Sequence, residues 1–146
     1  MKTLLLLFSA ILICTLASSA TGEKVYRILH DKITWMHNLH VCRRLGGELV
    51  VIESHDELIR LSNYLKNQGY GANDWFWTSG NDIVAPGRFL SVTTGNDLPY
   101  KLWSHGQPDN AGGNEHCVHL WLKDGVFKMN DWGCQQNAKG ICQMRV

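Results

Sequence analysis

The sequence predicts an α+β fold in which two helices come first and short strands then surround a long loop. Two segments between residues 34 and 69 repeat apolar side chains at steps of three and four, which is typical of amphipathic helices. Half of the residues in 81–114 are Gly, Pro, Asn, Asp or Ser, and a loop this long inside one domain is generally functional or disordered. Phe89, Leu102 and Trp103 interrupt it and require burial, so we expect the loop to be ordered.

The two helices have recognisable ends. The first is predicted from Thr34 to the glycine pair Gly46 and Gly47. The second begins with a capping box, in which Ser54 accepts from the Glu57 backbone and the Glu57 side chain reaches back. It ends near residue 69. The apolar faces of the two helices comprise Trp35, Leu39, Cys42 and Leu45, and then Leu58, Leu61 and Leu65.

Short apolar or aromatic runs predict the strands. The run "KDG", between the predicted strands at 117–122 and 126–129, predicts a turn. No internal repeat or low-complexity segment is present in the sequence. The predicted strands cover residues 25–30, 48–52, 75–80, 117–122, 126–129 and 140–144.

The first twenty residues are typical of a secretory signal peptide. Lys2 precedes an apolar run over residues 4–16, and small residues follow as far as Ala20. A buried core helix is the alternative interpretation, while a membrane span would need about 20 apolar residues. We therefore predict a signal peptide over 1–20, which would remove Cys14, one domain over 21–146, and a secreted, extracellular protein.

Composition excludes some partners. Without Lys2 the chain has thirteen basic and thirteen acidic side chains, because the whole chain has 14 and 13. A formal charge of zero without a basic stripe argues against nucleic acid or an anionic membrane as the partner. The sequence also lacks an N-x-Ser/Thr site, so we expect no N-linked glycan.

Four cysteines remain after the predicted cleavage: Cys42, Cys117, Cys134 and Cys142. An even number in a small exported chain favours two disulfides, with three possible pairings. A zinc site is the alternative, but the sequence contains no C-x-x-C pair and the predicted compartment is oxidising.

Five oxygen-bearing side chains lie near two of these cysteines. Glu115 is two residues before Cys117, and Asp131 is three residues before Cys134, so a disulfide between these cysteines would join the two acidic stretches. Carboxylate and amide oxygens suit Ca²⁺ better than zinc or copper. On composition alone, an ordinary solvated loop explains the segment equally well. The five side chains are Gln107, Asp109, Glu115, Asn130 and Asp131.

The spacing of these residues resembles the C-type lectin domain. The likeness rests on "QPDN", on Glu115 before Cys117 and on "ND" before Cys134, and it extends over nearly the whole mature chain. "CRRLGGEL" ends the first helix as in that family, and "FWTSG" stands where members usually read "WIGL". The phrases "FWTSGND" and "LWSHGQPDN" are most similar to small secreted lectins of insects.

The resemblance implies a C-type lectin-like fold of the short form, with two helices, small antiparallel sheets and a long Ca²⁺-binding loop. It implies the disulfides Cys42–Cys142 and Cys117–Cys134, and a cis peptide bond before Pro108 that turns its two neighbours towards one ion. It also implies that the five oxygen-bearing side chains hold the principal Ca²⁺ and bind the sugar. A second, auxiliary ion site is doubtful, because acids are replaced there by Asn110, His116 and Ala85.

The resemblance further implies galactose-type specificity. Two neighbouring sugar hydroxyls would complete the coordination of the ion, and each would donate to a carboxylate and accept from an amide. In the family the order Gln-Pro-Asp accompanies galactose and N-acetylgalactosamine, whereas Glu-Pro-Asn accompanies mannose. Galactose binders usually add a stacking Trp, where this chain has Ala111. Trp132 or His119 could replace it from another direction, although both are also typical core residues.

Other functions use the same residues differently. Asp109 and Glu115 could form a glycosidase pair, but an exposed Gly-rich loop is a poor place to raise a carboxyl pKa, so we expect no enzyme. A protein-binding module with a decayed sugar site is the stronger alternative, yet such relatives generally lose the ion ligands that this chain retains. We expect galactose-type glycans or glycoproteins as partners, with self-association providing avidity. Immune recognition and a role in reproductive secretions are both compatible with the sequence.

Overall fold

The computed structural model describes residues 22–146, so the predicted signal peptide and Cys14 lie outside the described residues. None of the helices in this part of the chain is both long and apolar enough to cross a membrane. The described chain contains two helices, seven strands and one short 3-10 turn at Ala111–Gly113. In chain order the helices and strands are β1 (Lys24–Ile33), α1 (Trp35–Arg44), β2 (Glu48–Leu49), α2 (His55–Asn67), β3 (Phe76–Asn81), β4 (Leu90–Ser91), β5 (Cys117–Lys123), β6 (Val126–Trp132) and β7 (Ala138–Arg145).

All seven strands belong to one sheet. Its order is β1-β7-β3-β5-β6, with β2 also paired to β7 and β4 to β3. The sequence predicts small antiparallel sheets, whereas β3 runs parallel to β7 and joins the terminal strands to the β5–β6 hairpin. This joint is short, with Phe76 opposite Lys139 and Trp77 opposite Gly140. Apolar patterns predict strands but not their partners, so this joint is not visible in the sequence.

The helix caps largely follow the prediction. Thr34 caps α1 by accepting from His37 N, and Ser54 caps α2 by accepting from Glu57 N at 3.2 Å. The Glu57 carboxylate reaches one residue further back than predicted, since its Oε2 accepts from Glu53 N at 2.7 Å. Its Oε1 accepts from β1, where Lys24 and Tyr26 donate to it. The cap residue therefore also ties α2 to the first strand.

The core lies on both faces of the sheet. Because neighbouring side chains of a strand point to opposite faces, Phe76 and Trp77 enter different clusters. Phe76 packs with the apolar face of α2 and with β5 and β6. Trp77 packs with the apolar face of α1 and with both disulfides. Both predicted helical faces are thus confirmed as core.

The two disulfides are Cys42–Cys142 and Cys117–Cys134, as the resemblance implies, and the zinc alternative is wrong for these four residues. The first joins α1 to β7 across 100 residues of chain. The second joins the start of β5 to the segment after β6 across 17 residues. The β5–β6 hairpin is therefore covalently closed at the end that carries Asp131.

Two predicted segments differ in detail. The run over 48–52 forms a ladder only at Glu48–Leu49, and Val50 and Val51 continue as buried chain outside the strand. The long loop is ordered: Phe89 and Leu98 are buried, and β4 pairs with the end of β3. Strand content at β4 escaped prediction because its two residues are too few to show alternation.

Candidate cation site

Three carboxylates cluster where the long loop meets the β5–β6 hairpin, and the two amide residues Gln107 and Asn130 lie near them in the chain. Asn130 and Asp131 lie near the end of β6, and Glu115 lies just before β5. Antiparallel pairing sets Cys117 opposite Trp132 and Val118 opposite Asp131, which brings the start of β5 beside the end of β6. We call the five the loop site: Gln107, Asp109, Glu115, Asn130 and Asp131.

The three carboxylates of the loop site are close together. One oxygen from each of Asp109, Glu115 and Asp131 lies within 4.8 Å of the other two. Asp109 is exposed, Glu115 is half-buried, and Asp131 is 1% exposed. Asp131 thus forms the floor of the cluster, and the other two form its open side.

Hydrogen bonds to these acids hold the loop in place. Asp131 Oδ1 accepts from Asp109 N at 3.1 Å, and Oδ2 accepts from Asn110 N at 2.8 Å. Glu115 Oε2 accepts from Ala111 N at 3.2 Å. The loop backbone therefore folds around the carboxylates and supplies them with neutral donors only.

Asn110 has a positioning role that sequence reasoning missed. Its Oδ1 accepts from Glu115 N at 3.0 Å, which links the two ends of the turn. Its φ of 45° is left-handed, a conformation that Asn tolerates better than most residues. An Asn directly before "AGG" was the available signal. The resemblance drew attention to Asn110 only as a lost auxiliary ligand.

The two amide oxygens of the loop site are buried without a partner. Gln107 Oε1 and Asn130 Oδ1 accept no hydrogen bond from any residue in the described range. A buried polar atom left unsatisfied costs about 1–3 kcal/mol. Asn130 is held in place by its Nδ2, which donates to Asp131 O at 2.7 Å and lies 2.9 Å from His119 Nε2. The peptide bond between Gln107 and Pro108 is cis.

The negative charges of the three clustered carboxylates are not neutralised by a neighbouring cation in the described residues. Burial raises the pKa of the Glu115 carboxyl, and the nearby charges of Asp131 and Asp109 raise it further, although the Ala111 N–H partly opposes them. Throughout residues 22–146, the ion pairs involve other acids, and none neutralises these three. Three carboxylates and two unpaired amide oxygens are a hard, oxygen-only donor set of the kind that Ca²⁺ takes, with no thiolate or imidazole among them.

The residues at the auxiliary positions have partners within the protein. His116 Nδ1 lies 2.9 Å from Asp82 Oδ1, and Gly87 N donates to Asp82 Oδ2 at 2.7 Å. Ala85 N donates to Asp82 O at 3.1 Å. Asp82 is only 3% exposed, so this pair is a structural link between the loop and the start of β5.

The two aromatic candidates for sugar stacking differ in burial. His119 is 2% exposed and belongs to the interior of the sheet. Trp132, next to Asp131, is half-buried and meets Trp75 edge-on, with ring centroids 4.9 Å apart. Trp132 therefore keeps accessible surface beside the loop site, whereas His119 does not.

Comparisons with known proteins support the fold described above. Residues 31–144 match the family profile described as Lectin C-type domain. C-type lectin 37Db of Drosophila melanogaster is 40% identical over 123 residues, covering 84% of this chain and 79% of the relative. The crystal structure of C-type lectin CEL-I from Cucumaria echinata is 25% identical with a TM-score of 0.74, covering 86% of this chain and 92% of that one. The crystal structure of human lithostathine at 1.3 Å resolution is 21% identical with a TM-score of 0.76, and the match covers 100% of both chains. This likeness confirms the predicted fold alone.

Proposed function

Since this chain belongs to the C-type lectin domain family, we propose that it binds glycans through a Ca²⁺ ion held by the loop site. The observation that carries this proposal is the pairing of three clustered carboxylates with two buried, unpartnered amide oxygens. A glycosidase pair made of Asp109 and Glu115 would leave Asp131 and both amide oxygens unexplained. A bound divalent cation accounts for all five side chains together.

The loop site supports recognition of a pair of hydroxyl groups. Bound Ca²⁺ would supply coordination positions for two neighbouring sugar oxygens. Around them, Asp109 and Glu115 offer carboxylate oxygens that accept from hydroxyls, and the amide of Gln107 offers N–H donors. A hydroxyl both donates and accepts, so a mixed set of acids and amides fits it better than acids alone. Asp131 stays on the floor, where its bonds to the loop backbone fix the shape.

We propose galactose-type specificity from the order Gln107, Pro108, Asp109. The amide stands before the proline and the acid after it, which sets the donor and acceptor pattern that the sugar meets. The protein would act outside the cell, where two disulfides persist. Single-site affinity is expected to be weak on so open a surface, so useful binding would need multivalent glycans or self-association.

The direct test is retention on immobilised galactose in Ca²⁺ and then in EDTA. We expect retention in Ca²⁺ and release by the chelator. Retention that ignores EDTA would contradict Ca²⁺-dependent binding. Absence of retention on any sugar in a glycan array with Ca²⁺ would instead favour the protein-binding module.

The order of the triplet is tested by exchange. The double variant Gln107→Glu with Asp109→Asn keeps the oxygen count and reverses the positions of amide and acid. We expect it to retain Ca²⁺ and to move its preference towards mannose on a glycan array. The two single variants are the matched controls, since each changes the charge of the site by one without completing the exchange. An unchanged sugar ranking in the double variant would show that the triplet is not the selector.

A further inference from the structure

The outer edge of β1 is unpaired. In the described chain β1 lies at one end of the sheet and pairs only with β7. Val146 N donates to Glu23 O at 3.1 Å, which extends this ladder and shows that odd-numbered residues of the strand bond to β7. Ile141, opposite Ile28, gives its carbonyl to Val50 N at 2.9 Å on its other side, which agrees with this alternation. The even-numbered residues therefore direct their backbone N–H and C=O groups to the open side.

Two charges of opposite sign stand on this edge without a partner. Glu23 and Arg27 are both exposed, and neither forms an ion pair within residues 22–146. They are four positions apart, or about 13 Å along a strand, and they project from the same face because alternate residues share a face. A second strand that runs antiparallel to this one can bring the opposite charge to each of them.

We propose that this edge pairs with the same edge of a second copy of the protein, antiparallel and centred on Val25. In that register Glu23 of each copy lies opposite Arg27 of the other, so a two-fold dimer forms two cross-strand ion pairs. The paired segment covers residues 22–28, and its open backbone groups bond as in an ordinary antiparallel ladder. The inference does not rest on the proposed function, because the loop site lies at β5 and β6, at the opposite end of the strand order.

The shape of β1 favours this register over its main alternative. A pairing centred on Leu29 would also bring opposite charges together, Arg27 with Asp31. Between Leu29 and Ile33, however, β1 advances four residues while β7 advances two, so the strand is irregular there. Irregularities of this kind protect an edge from pairing. Residues 24–29 keep an unbroken register with β7, and the proposed contact uses this regular part of the strand.

An exposed aromatic side chain lies beside the proposed contact. Tyr64 of α2 is 41% exposed, and together with Tyr26 and Ile28 it lines a cavity of about 200 Å³ next to β1. Opposite residues of paired strands project from the same face, so both copies of α2 would stand on one side of the joined sheet. Each copy of Tyr64 would then offer apolar surface to the other half of the dimer, which favours association.

Sedimentation equilibrium of the oxidised protein over a wide concentration range tests the dimer. We expect a monomer–dimer equilibrium that EDTA does not change. Arg27→Glu sets two acids opposite each other and should weaken the dimer at least about tenfold, and Glu23→Arg should do the same with two cations. Mixed in equal amounts, these two variants should pair with one another, because each supplies the charge that the other lacks. Lys32→Glu is the matched control, since this exposed cation of β1 lies outside the paired segment.

A cross-link gives a second measurement that does not depend on charge. In the proposed register the two copies of Val25 form a non-hydrogen-bonded pair with Cα atoms about 4.5 Å apart, which a disulfide can bridge. Val25→Cys should therefore yield a covalent dimer on mild oxidation. Arg27→Cys is its control, because the two copies of that residue would lie about 13 Å apart along the strands.

Three results would overturn the proposal. One is a monomer at every concentration together with no cross-link in Val25→Cys. Another is a dimer that persists in both charge variants, because the copies would then meet through a different surface. The third is association that EDTA abolishes, since the contact contains no residue of the loop site. Retention on galactose that EDTA releases, in a strictly monomeric protein, would overturn the dimer and leave the proposed function intact.

Discussion

Glu57 and Glu115 are both acids removed in part from water, but their surroundings differ. Glu57, 5% exposed, accepts from Lys24 Nζ at 2.8 Å, from Tyr26 Oη at 2.7 Å and from Glu53 N. Burial alone would raise its pKa, and the bonds from Lys24 and Tyr26 outweigh this effect and lower it. Glu115 has the opposite shift, because burial and two neighbouring carboxylates raise its pKa.

The difference separates a structural acid from one that needs a ligand. The charge of Glu57 is neutralised by β1, so this acid helps to fix α2 on the sheet. The charge of the loop site is not neutralised by any ion pair in residues 22–146, and the site accepts only neutral backbone donors. A fold keeps such a cluster at an electrostatic cost, which a bound cation would remove. We therefore expect mutations around Glu57 to change the stability of the fold, and mutations in the loop site to change the binding of Ca²⁺ and glycans.

The largest expected effect is the loss of binding in Asp131→Ala. This change removes a central oxygen donor and both acceptors that hold the backbone of residues 109 and 110. We expect Ca²⁺-dependent glycan binding to disappear, because the ion loses a ligand and the loop loses its anchor. Calorimetry with Ca²⁺ and a glycan array measure the loss.

The fold should survive this change, since Asp131 belongs to neither core cluster and both disulfides remain. Asp97→Ala is the matched control, because Asp97 is an exposed acid in the same long loop, paired with Arg88 at 2.8 Å. It should bind Ca²⁺ and glycans normally. Full affinity in Asp131→Ala would exclude Asp131 as a ligand, and a lost near-UV signal would show that Asp131 belongs to the core.

The helices were predictable because their signals lie within each helix and its caps. Thr34 and Ser54 are caps, and the apolar residues follow at helical steps, so the faces buried on the sheet were predictable. The parallel joint of β3 with β7 depends on residues more than sixty positions apart, and no local pattern reports it. The disulfide pairing was likewise open until the family resemblance was used.

The loop site was predictable as a set of residue types but not as a shape. Spacing around Cys117 and Cys134 indicated that Glu115 and Asp131 would lie close together, as they do. It could not indicate that Asn110 closes the turn, or that Gln107 Oε1 and Asn130 Oδ1 would be buried and unpaired. A small cavity lined by Trp75, His119, Trp121, Asn130 and Trp132 is another case, since its three tryptophans come from separate stretches that only the fold brings together.

An intermediate effect is expected at Glu57, whose charge Lys24 neutralises. Lys24→Met removes the cation from Glu57 while keeping much of the apolar stem, and it leaves a buried charge without its partner. We expect a loss of about 3 kcal/mol in the free energy of unfolding, the usual range for breaking one side of a buried pair. Urea unfolding followed by circular dichroism measures it.

Ca²⁺ affinity should be unchanged in Lys24→Met, because Lys24 and its partners belong to the α2–β1 contact and not to the loop site. Arg43→Met is the matched control: its pair with Glu48 is exposed, with side chains 49% and 38% accessible. It should cost less than about 1 kcal/mol. Equal costs for the two variants would show that Glu57 is not specially dependent on Lys24.

The smallest expected effect is that Ca²⁺ release and unfolding occur at different pH values on acidification. In the cation-free fold the raised pKa of Glu115 means that it takes up a proton at a higher pH than an ordinary glutamate. Because Ca²⁺ must compete with that proton, affinity for the ion falls as pH drops through the raised pKa. Without the ion, ionisation of Glu115 disfavours the fold, so its contribution to stability is lost as pH rises through the same value.

Glu57 has the reverse sign. Its pKa is lower in the fold than in the unfolded chain, so its contribution to stability is present above the unfolded pKa and is lost as pH falls through the lowered folded value. On acidification Ca²⁺ should therefore leave first, while the core unfolds only at a lower pH. Calorimetric Ca²⁺ titrations and circular dichroism across one pH series measure the two midpoints. Glu57→Gln should flatten the acid dependence of unfolding without moving the midpoint of ion release, and coincident midpoints in the unmodified chain would contradict the assignment of separate roles to the two acids.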